Sequence, residues 1–335
     1  MDKLKLLRKL FFALPLSEAD FSRRGFLKNQ AAQNRLEYVA KVVVGGYNTA
    51  LETGFSNDLL VSRKMIIKED VGFFNEGIGM GLFTLDLVSV FKKDRFWEFI
   101  KDKGKHHEYM AYIGAGIACG VFKILPIKKF IAKSNPTCGL LLLNGVGFYY
   151  AYFKPKKTLG NNFYVPKKLL KDSFKVYSYD NGIGRALWFV HGGNPQSIQQ
   201  NIDKFPVNRR AGIWSGVGLA ATYAGGVDQS VIAELIERSG EYKGHLKEGS
   251  MLAVHTRDLA GNPHKKNDTA EFITRKTLKE CTSKARQLRD ELENRRFIGE
   301  KHSLDFFFHR MREWLQNDES FDEALVENSK NNILI

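Results

Sequence analysis

The chain has 335 residues, enough for one large domain or two. Hydrophobic residues make up 43% of it and charged residues 26%, which is ordinary for a globular protein and excludes the disordered and fibrous classes. The formal net charge of +14 indicates an acidic partner without identifying it. The unusual feature is 30 glycines against 8 prolines, a combination that is not typical of flexible linkers.

The N-terminus begins with basic residues and an apolar run at 10–16, as a signal peptide does. That run contains Pro15 and is not followed by a small-residue cleavage site. The most apolar stretch, 137–153, contains Asn144 and is too short for a membrane span. The cysteines have no paired spacing, which is typical of a reducing compartment. We therefore expect a soluble, cytoplasmic protein without a transmembrane segment.

Glycines recur along the chain in the pattern glycine, apolar residue, glycine. These triplets begin at Gly77, Gly114, Gly145, Gly182 and Gly216, and weaker members begin at Gly45 and Gly249. The intervals between them run from 31 to 37 residues with a mean of 34. A period near 34 residues is that of helix–turn–helix repeat proteins.

The repeated runs have helical character, because 77–87 contains no turn residue and places its glycines on one helical face. A glycine inside a helix costs up to about 1 kcal/mol, so its recurrence indicates close contact between helices. More polar stretches at 93–103, 197–204 and 228–238 are predicted to form the second helix of each pair. The sequence therefore predicts an all-α fold, in which repeats of about 34 residues form an α/α superhelix, either an open solenoid or a closed toroid.

Five segments are expected in chain order. They are a basic lead at 1–44 that packs on the array, a first repeat block at 45–153, a basic connector at 154–175, a second block at 176–317 that includes a long charged C-terminal helix at 269–294, and an acidic tail at 318–335. Equivalent short segments in the two blocks lie 102 to 105 residues apart, which favours two duplicated halves.

Three short motifs resemble known sites without completing them. His106-His107-Glu108 most resembles a metal site. Adjacent histidines do not share a helical face, however, and no second ligand motif follows. His107 is therefore a weak candidate ligand, and no metal site is predicted. The His-Gly-Gly at 191–193 resembles an esterase oxyanion turn without its nucleophile elbow, and is more typical of a helix end. The glycine triplets lack the third glycine and the strand of a dinucleotide loop. The cofactor therefore stays unknown.

Polar residues stand at equivalent places in the apolar runs. Those that directly precede a repeat glycine are Glu76, Asn144, Asn181, Ser215 and Glu248. Equivalent positions of successive helices in a repeat array line one inner surface, so these side chains are predicted to lie in register.

Two interpretations of these polar residues stay open. In the functional one, Asn144 and Asn181 bind a ligand in a groove walled by the aromatic residues Trp188, Phe189, Trp214 and Tyr223. The catalytic candidates are then the charged residues of the apolar runs: Glu76, Asp86 and Arg185. In the structural one, Asn181 and Ser215 cap helices and Asp86 pairs with Arg185.

The connector, 154–175, contains seven lysines and one acidic residue. It has few aromatic residues and no known nucleic-acid module accompanies it, so nucleic-acid binding is not favoured. A solvated surface, a membrane face, or an acidic protein partner bound by Lys154–Lys175 is equally compatible with this composition.

Four segments of the sequence carry a family resemblance: FSRRGF at 21–26, GFFNEG at 72–77, NGIGRALWF at 181–189 and RRAGIWSGVGLA at 209–220. Through them, residues 5–315 resemble a bacterial family of unknown function found in enediyne polyketide biosynthesis gene clusters. The resemblance implies a pathway that turns a linear polyene into a highly unsaturated core, without implying a reaction. The chain departs from the family pattern in its lysine-rich connector and at Asn181.

Two functional hypotheses follow. In the first, the protein is an accessory protein of enediyne-like or polyene polyketide biosynthesis that binds or modifies a long unsaturated chain in a helical groove. In the second, it is a non-catalytic helical-repeat scaffold or protein-binding module, as most solenoid proteins are. Whether it is an enzyme stays open, because no complete catalytic constellation is recognisable.

Overall fold

The computed structural model describes residues 8, 10–91, 93–160, 162–262, 268–292 and 295–316. The predicted acidic tail at 318–335 and residues 1–7 and 9 of the signal-like start lie outside these residues. Helices form nearly all of the regular secondary structure in the described ranges, and consecutive helices pack as repeats, which confirms the all-α superhelix.

Seven long helices form the core. Labelled α1 to α7, they are Gln30–Thr53, Val71–Val88, Glu108–Phe122, Leu141–Phe153, Ser173–Val190, Val207–Tyr223 and Lys243–Leu259. The predicted glycine triplets all lie within these helices.

Shorter elements connect and flank the core helices. The α-helices among them are Phe21–Arg24, Asn57–Lys64, Arg95–Lys101, Ile127–Lys133, Pro155–Thr158, Pro195–Ile202, Gln229–Arg238, Asp268–Thr274, Leu278–Glu291 and Ser303–Gln316. Short 3-10 helices occur at Leu16–Ala19, Lys105–His107, Lys167–Leu169 and Gly240–Tyr242. A two-stranded antiparallel hairpin pairs Phe297–Ile298 with Lys301–His302.

Each core helix packs chiefly on the one before it and the one after it in sequence. A Cβ atom added at Gly77 would meet Val43 and Tyr47, and one added at Gly81 would meet Tyr47 and Ala50. Because these contacts advance together along α1 and α2, the two helices run in the same direction. A short outer helix returns the chain between them, as in other helix–turn–helix repeats.

The glycine triplets permit direct contact between helix backbones. A Cβ atom at Gly145 would overlap the carbonyl oxygen of Ile113 on α3, and one at Gly216 would overlap the carbonyl oxygen of Asn181 on α5. Any larger residue would force these helices apart, because packed interiors resist even small increases in volume.

The array closes on itself. On α1, Arg35 binds both carboxylate oxygens of Asp70 at 2.6 and 2.9 Å and donates from Nε to the Ala224 carbonyl oxygen at 3.0 Å. On α7, Arg257 donates to the Glu69 carbonyl oxygen at 2.7 Å. The connection between α1 and α2 therefore meets the ends of α6 and α7, and the superhelix encloses a narrow interior.

The helix α2 is long and apolar enough to cross a membrane by length and composition. In the protein, 78% of this 18-residue window is buried. The core helix of a soluble protein has the same length, composition and burial.

Three sequence-based boundaries need correction. The first core helix begins at Gln30, so the expected division at 44/45 falls inside α1, and the division at 175/176 falls inside α5. The long charged helix expected at 269–294 is two helices, because the chain takes a left-handed conformation at Arg275 with a φ of 59°. The helix end expected at 191–193 is confirmed, with both glycines at positive φ.

Adjacent glycines of α1 provide a matched test of the backbone contact. A Cβ atom at Gly46 would overlap the Phe74 carbonyl oxygen, whereas one at Gly45 would lie 3.9 Å from a Phe74 ring atom. We expect Gly46→Ala to lower the free energy of unfolding by about 1–3 kcal/mol. Gly45→Ala should raise it by up to about 1 kcal/mol, because alanine favours the helix.

Urea denaturation of the wild type and the two variants measures both effects. Equal effects of the two substitutions would contradict the proposed backbone contact between α1 and α2.

Candidate functional site

A continuous chain of hydrogen bonds crosses the protein interior. Arg185 Nη1 donates to Asn144 Oδ1 at 2.8 Å, and Asn144 Nδ2 donates to Asn181 Oδ1. Asn181 Nδ2 donates to Ser215 Oγ at 2.8 Å, and Ser215 Oγ donates to Glu248 Oε1 at 2.7 Å. Every link points the same way, from the arginine, which has no acceptor, to the carboxylate, which has no donor. We call these five side chains the polar ladder.

The polar ladder follows from the helix packing. Its members Asn144, Asn181, Ser215 and Glu248 lie on α4, α5, α6 and α7, each one residue before a glycine at which two backbones touch. The side chain preceding each glycine is therefore carried against its counterpart on the next helix. All four are at most 1% exposed, so each hydrogen bond replaces hydration that burial removes.

An ion pair begins the ladder. Arg185 Nη2 lies 3.1 Å from Glu76 Oε1 and 3.2 Å from Glu76 Oε2, which brings α5 against α2 across the interior. Both side chains are buried, and the guanidinium carbon lies 5.1 Å from the centre of the Phe148 ring. A buried charge needs such a partner, because an isolated one is costly in an apolar interior.

A second ion pair ends the ladder. Glu248 accepts a further hydrogen bond from Tyr177 Oη at 2.9 Å and binds Arg312 of the C-terminal helix. Burial, and then the Glu248 carboxylate, raise the pKa of Tyr177, so its hydroxyl stays protonated and donates. Burial opposes ionisation of Arg312, but Glu248, Tyr177 and Asp305 together outweigh it, and the pKa of Arg312 is raised. His245, 26% exposed, contacts Tyr177 Oη through Nδ1 at 2.8 Å and connects this end to the surface.

Two small cavities meet at Arg185. The first, of about 50 Å³, is walled mainly by apolar and aromatic residues of α1, α2, α4 and α5. The second, of about 20 Å³, is walled by residues of α2 to α7. Phe73, Arg185 and Phe189 line both cavities and separate them. We call these two apolar cavities, with the Glu76–Arg185 pair at their junction, the interior passage.

The segment before α1 covers the first cavity. Leu14, Glu18 and Ala19 form part of its wall. Asn48 on α1 holds this segment by accepting from the Leu14 nitrogen at 3.0 Å and donating to the Leu14 carbonyl oxygen at 2.8 Å. We call this segment, residues 10–29, the cover. Its other polar contacts with α1 include Tyr47 Oη donating to the Phe12 carbonyl oxygen at 2.9 Å, the Phe21 nitrogen donating to Glu37 at 2.9 Å, and the ion pair of Lys41 with Asp20 at 3.1 Å.

Three tyrosine hydroxyls of the cavity walls have no hydrogen-bond partner among the described residues. They belong to Tyr152 in the first cavity and to Tyr109 and Tyr223 in the second, and all three side chains are buried. Burial raises the pKa of all three, so each is a neutral donor. Buried hydroxyls are normally bonded, so these three offer hydrogen bonds to a molecule in the passage.

The predicted pairing of Asp86 with Arg185 is wrong. Asp86 accepts hydrogen bonds from the backbone nitrogens of Arg95 and Phe96 at 3.2 and 2.9 Å, and its carboxylate pairs with the Arg95 side chain. Burial is the main cause that raises the pKa of Asp86. This residue holds the start of the helix Arg95–Lys101 and lines neither of the two cavities.

Asn181 and Ser215 are not helix caps. The helices α5 and α6 begin at Ser173 and Val207, so both residues lie in the middle of their helices. The repeat glycines mark helix crossings rather than helix starts, which explains the error.

The expected aromatic wall is made by other residues. Trp188 is fully buried and donates to the Gly225 carbonyl oxygen at 3.0 Å, and neither it nor Trp214 lines either of these two cavities. Tyr223 does line the second one. Phe189, which the sequence analysis also selected, lines both cavities. The remaining aromatic lining residues, which the sequence analysis did not select, are Tyr47, Phe73, Tyr109, Phe148, Tyr152 and Phe153. The spacing of Phe148 and Tyr152, one turn apart on α4, was the available signal.

The neighbour of His107, Glu108, binds Asn135 and Arg289. Burial lowers the pKa of His107 to about 4, so its ring is neutral. Within the described ranges, no group of three or more histidine, cysteine, aspartate or glutamate side chains is placed to hold a metal ion.

Removing one partner of the Glu76–Arg185 pair should leave a buried charge unpaired. We expect Glu76→Leu or Arg185→Met alone to lower the free energy of unfolding by about 3–5 kcal/mol. The double variant should lose less than the two single losses together, because it buries no unpaired charge.

A double-mutant cycle in urea measures this coupling, with Asp94→Ala and Lys133→Ala as the control cycle. That pair lies on the surface at 3.2 Å and should couple by less than about 1 kcal/mol. Additive losses in the Glu76–Arg185 cycle would contradict the assigned pair.

His255 of α7 is fully buried, and neither ring nitrogen has a hydrogen-bond partner among the described residues. Its ring lies 5.6 Å from that of Tyr109 and 5.5 Å from that of Phe307, between ring centres. Burial, and then the charges of Arg289 and Arg286, lower the pKa of His255 to about 3. The histidine is therefore neutral in the folded protein.

Stability should therefore fall with acidification. Below the ordinary histidine pKa of about 6.5 the unfolded chain takes up a proton that folded His255 does not, which favours unfolding by about 2 kcal/mol between pH 7 and pH 5. His255→Leu should remove this share of the pH dependence in denaturation measured at both pH values. His309→Leu, at a residue 52% exposed, should keep it, and an unchanged slope in His255→Leu would refute the assignment.

Comparison with known protein families assigns nearly the whole chain to one family. Searches of curated proteins and of solved structures found no match. A family model described as "Protein of unknown function (DUF1702)" matches residues 3–313, nearly the full length. With its seven-helix superhelix and buried polar ladder, the chain belongs to the DUF1702 family.

Proposed function

We propose that the protein binds an elongated apolar molecule in the interior passage, as an accessory protein of polyene or enediyne-like polyketide biosynthesis. The observation that carries the proposal is the pair of aromatic-lined cavities that meet at Arg185. Ligand sites are typically apolar with a few placed polar groups, and this passage has that composition. The resemblance to proteins of enediyne gene clusters supplies the polyene class.

The cavities hold little free volume, about 50 and 20 Å³, so a long ligand needs side chains or the cover to move. The cover is the element best suited to do so. It is a short segment that contributes three residues to the first cavity's wall, whereas the helices around it are held by backbone contacts. Entry beside Leu14 would bring a ligand to Tyr152 and then to Arg185.

The charged pair gives the passage its chemistry. Arg185 presents a guanidinium beside Glu76 at the junction of the two cavities, where a low dielectric strengthens every electrostatic interaction. This pair would bind a polar end or a carbonyl group of the chain, and Glu76 and Arg185 are the candidates for any reaction on it. Asn144 and Asn181 support the arginine through the ladder rather than by reaching the passage.

A second candidate function is a non-catalytic scaffold. The observation that favours it is the completeness of the polar ladder, whose charges are already paired inside the chain. A buried network of this kind can specify one arrangement of the helices without acting on a ligand.

A cytoplasmic location fits both functions. The cysteines Cys119, Cys138 and Cys281 are all buried and unpaired, as is usual in a reducing compartment. An acidic protein partner at Lys154–Lys175 stays a prediction.

Binding of parinaric acid, a linear conjugated polyene whose fluorescence rises in apolar surroundings, tests the proposal. We expect saturable binding, and we expect Ala40→Leu to weaken it about tenfold or more because the larger side chain would occupy the first cavity. Ala233→Leu, an exposed residue of the helix Gln229–Arg238, is the matched control and should bind as the wild type does.

Wild-type protein that does not bind parinaric acid or its methyl ester would refute the ligand-binding function and favour the scaffold. Equal binding by Ala40→Leu and Ala233→Leu would place the ligand outside the passage.

A further inference from the structure

A separate pocket of about 350 Å³ opens on the outside of the array, where α3 and α4 end. Its rim carries four lysines, and none of its lining residues is acidic: Cys119, Lys123, Ile124, Leu125, Val146, Tyr150, Lys157, Tyr164, Pro166, Lys167 and Lys168. Like charges gathered in one depression repel one another and attract an anion.

The rim lysines are not neutralised by the protein. Among the described residues no carboxylate forms an ion pair with Lys123, Lys157, Lys167 or Lys168. Lys157 is held by aromatic rings instead, with Nζ 3.7 Å from the ring centre of Tyr164 and 5.4 Å from that of Tyr150. In the interior, by contrast, Arg185, Arg209 and Arg312 each have a carboxylate partner.

The backbone is strained at this pocket. Within the described ranges, the non-glycine residues at positive φ are Lys123, Phe163 and Arg275, with φ values of 54°, 38° and 59°. Lys123 lines the pocket and Phe163 precedes Tyr164, which also lines it. Lys123 occupies the left-handed position at the end of α3, where glycine is usual. A lysine adopts this backbone conformation at a cost in conformational free energy.

The floor of the pocket suits an organic group beside the anion. Val146 and Cys119 are buried and apolar in character, and the rings of Tyr150 and Tyr164 lie 4.7 Å apart between centres. Burial, and then Tyr164, raise the pKa of Tyr150, so its hydroxyl stays a hydrogen-bond donor. Lysines and a neutral tyrosine donate hydrogen bonds. The oxygens of a phosphate group accept such bonds, and the lysines also balance its negative charge.

This pocket is independent of the interior passage. Val146 and Tyr150 of α4 line the pocket, whereas Phe148 and Tyr152 of the same helix line the first cavity. The two sites therefore lie on different faces of α4, and binding at one does not rest on the function proposed for the other.

We propose that the outer pocket binds a phosphate-bearing ligand, with Lys123, Lys157, Lys167 and Lys168 around the phosphate and the tyrosine rings beside its organic group. The concave shape and the enclosed floor favour a phosphate ester over the broad surface of an acidic protein. The same chemistry occurs in a soluble phosphate ester and in the headgroup of an anionic phospholipid.

Two probes distinguish these sources. Phenyl phosphate is titrated by calorimetry, and vesicles of phosphatidylcholine with or without phosphatidic acid are tested by flotation. Saturable one-site binding of phenyl phosphate assigns a soluble ester, whereas binding confined to vesicles that contain phosphatidic acid assigns a lipid headgroup. Absence of both refutes the proposal.

The triple variant Lys157→Gln, Lys167→Gln, Lys168→Gln should weaken binding about tenfold or more, since each lysine removed is a charge-assisted donor. The control variant Lys156→Gln, Lys204→Gln, Lys243→Gln removes the same charge from exposed lysines outside the pocket and should bind as the wild type does. Equal weakening in both variants would show attraction to net charge alone and overturn the site. Thermal melting verifies that both variants fold, and these outcomes do not depend on parinaric acid binding in the interior.

Discussion

The direct contact of helix backbones at the repeat glycines is the constraint on which the rest of the structure depends. Where Gly145, Gly182, Gly216 and Gly249 sit against a carbonyl oxygen of a neighbouring helix, no side chain separates the two helices. The residue before each glycine is then within hydrogen-bonding distance of its counterpart. Short side chains such as asparagine and serine suffice to connect helices at this separation. The polar ladder is therefore a product of the packing.

Charge balance makes the ladder tolerable in an apolar core. Glu76 is paired with Arg185 and Glu248 with Arg312, so the network as a whole is neutral. Between the two pairs, the asparagines and Ser215 form hydrogen bonds with one another. These bonds replace the water that burial removes from their polar groups. A neutral, fully bonded network places a guanidinium and a carboxylate beside the passage without burying net charge.

The sequence predicted those features that local periodicity determines. The 34-residue glycine period and the shared register of Asn144, Asn181, Ser215 and Glu248 are visible because each repeat contacts the next one along the chain. Helix starts were predicted wrongly at Asn181 and Ser215, because a glycine at a helix crossing looks the same in sequence as one at a helix end.

Contacts between distant repeats were not predictable in this way. Arg185 finds Glu76 rather than Asp86 because closure of the array brings α5 against α2. Arg312 reaches Glu248 from the C-terminal helix, and no spacing in the sequence indicates that contact. The cavity walls depend on the same closure, which is why Phe73 was overlooked while Trp188 and Trp214 were selected.

Closure also sets this protein apart from an open solenoid in how it tolerates change. In an open array each repeat depends on its neighbours alone, so repeats are gained or lost with little effect elsewhere. Here Arg257 holds the backbone at Glu69, 188 residues away, and Arg289 binds Glu108, 181 residues away. Insertion or deletion of one repeat would put these partners out of reach at the same time. The number of repeats is thus constrained by geometry, and the superhelix should fold and evolve as one cooperative unit.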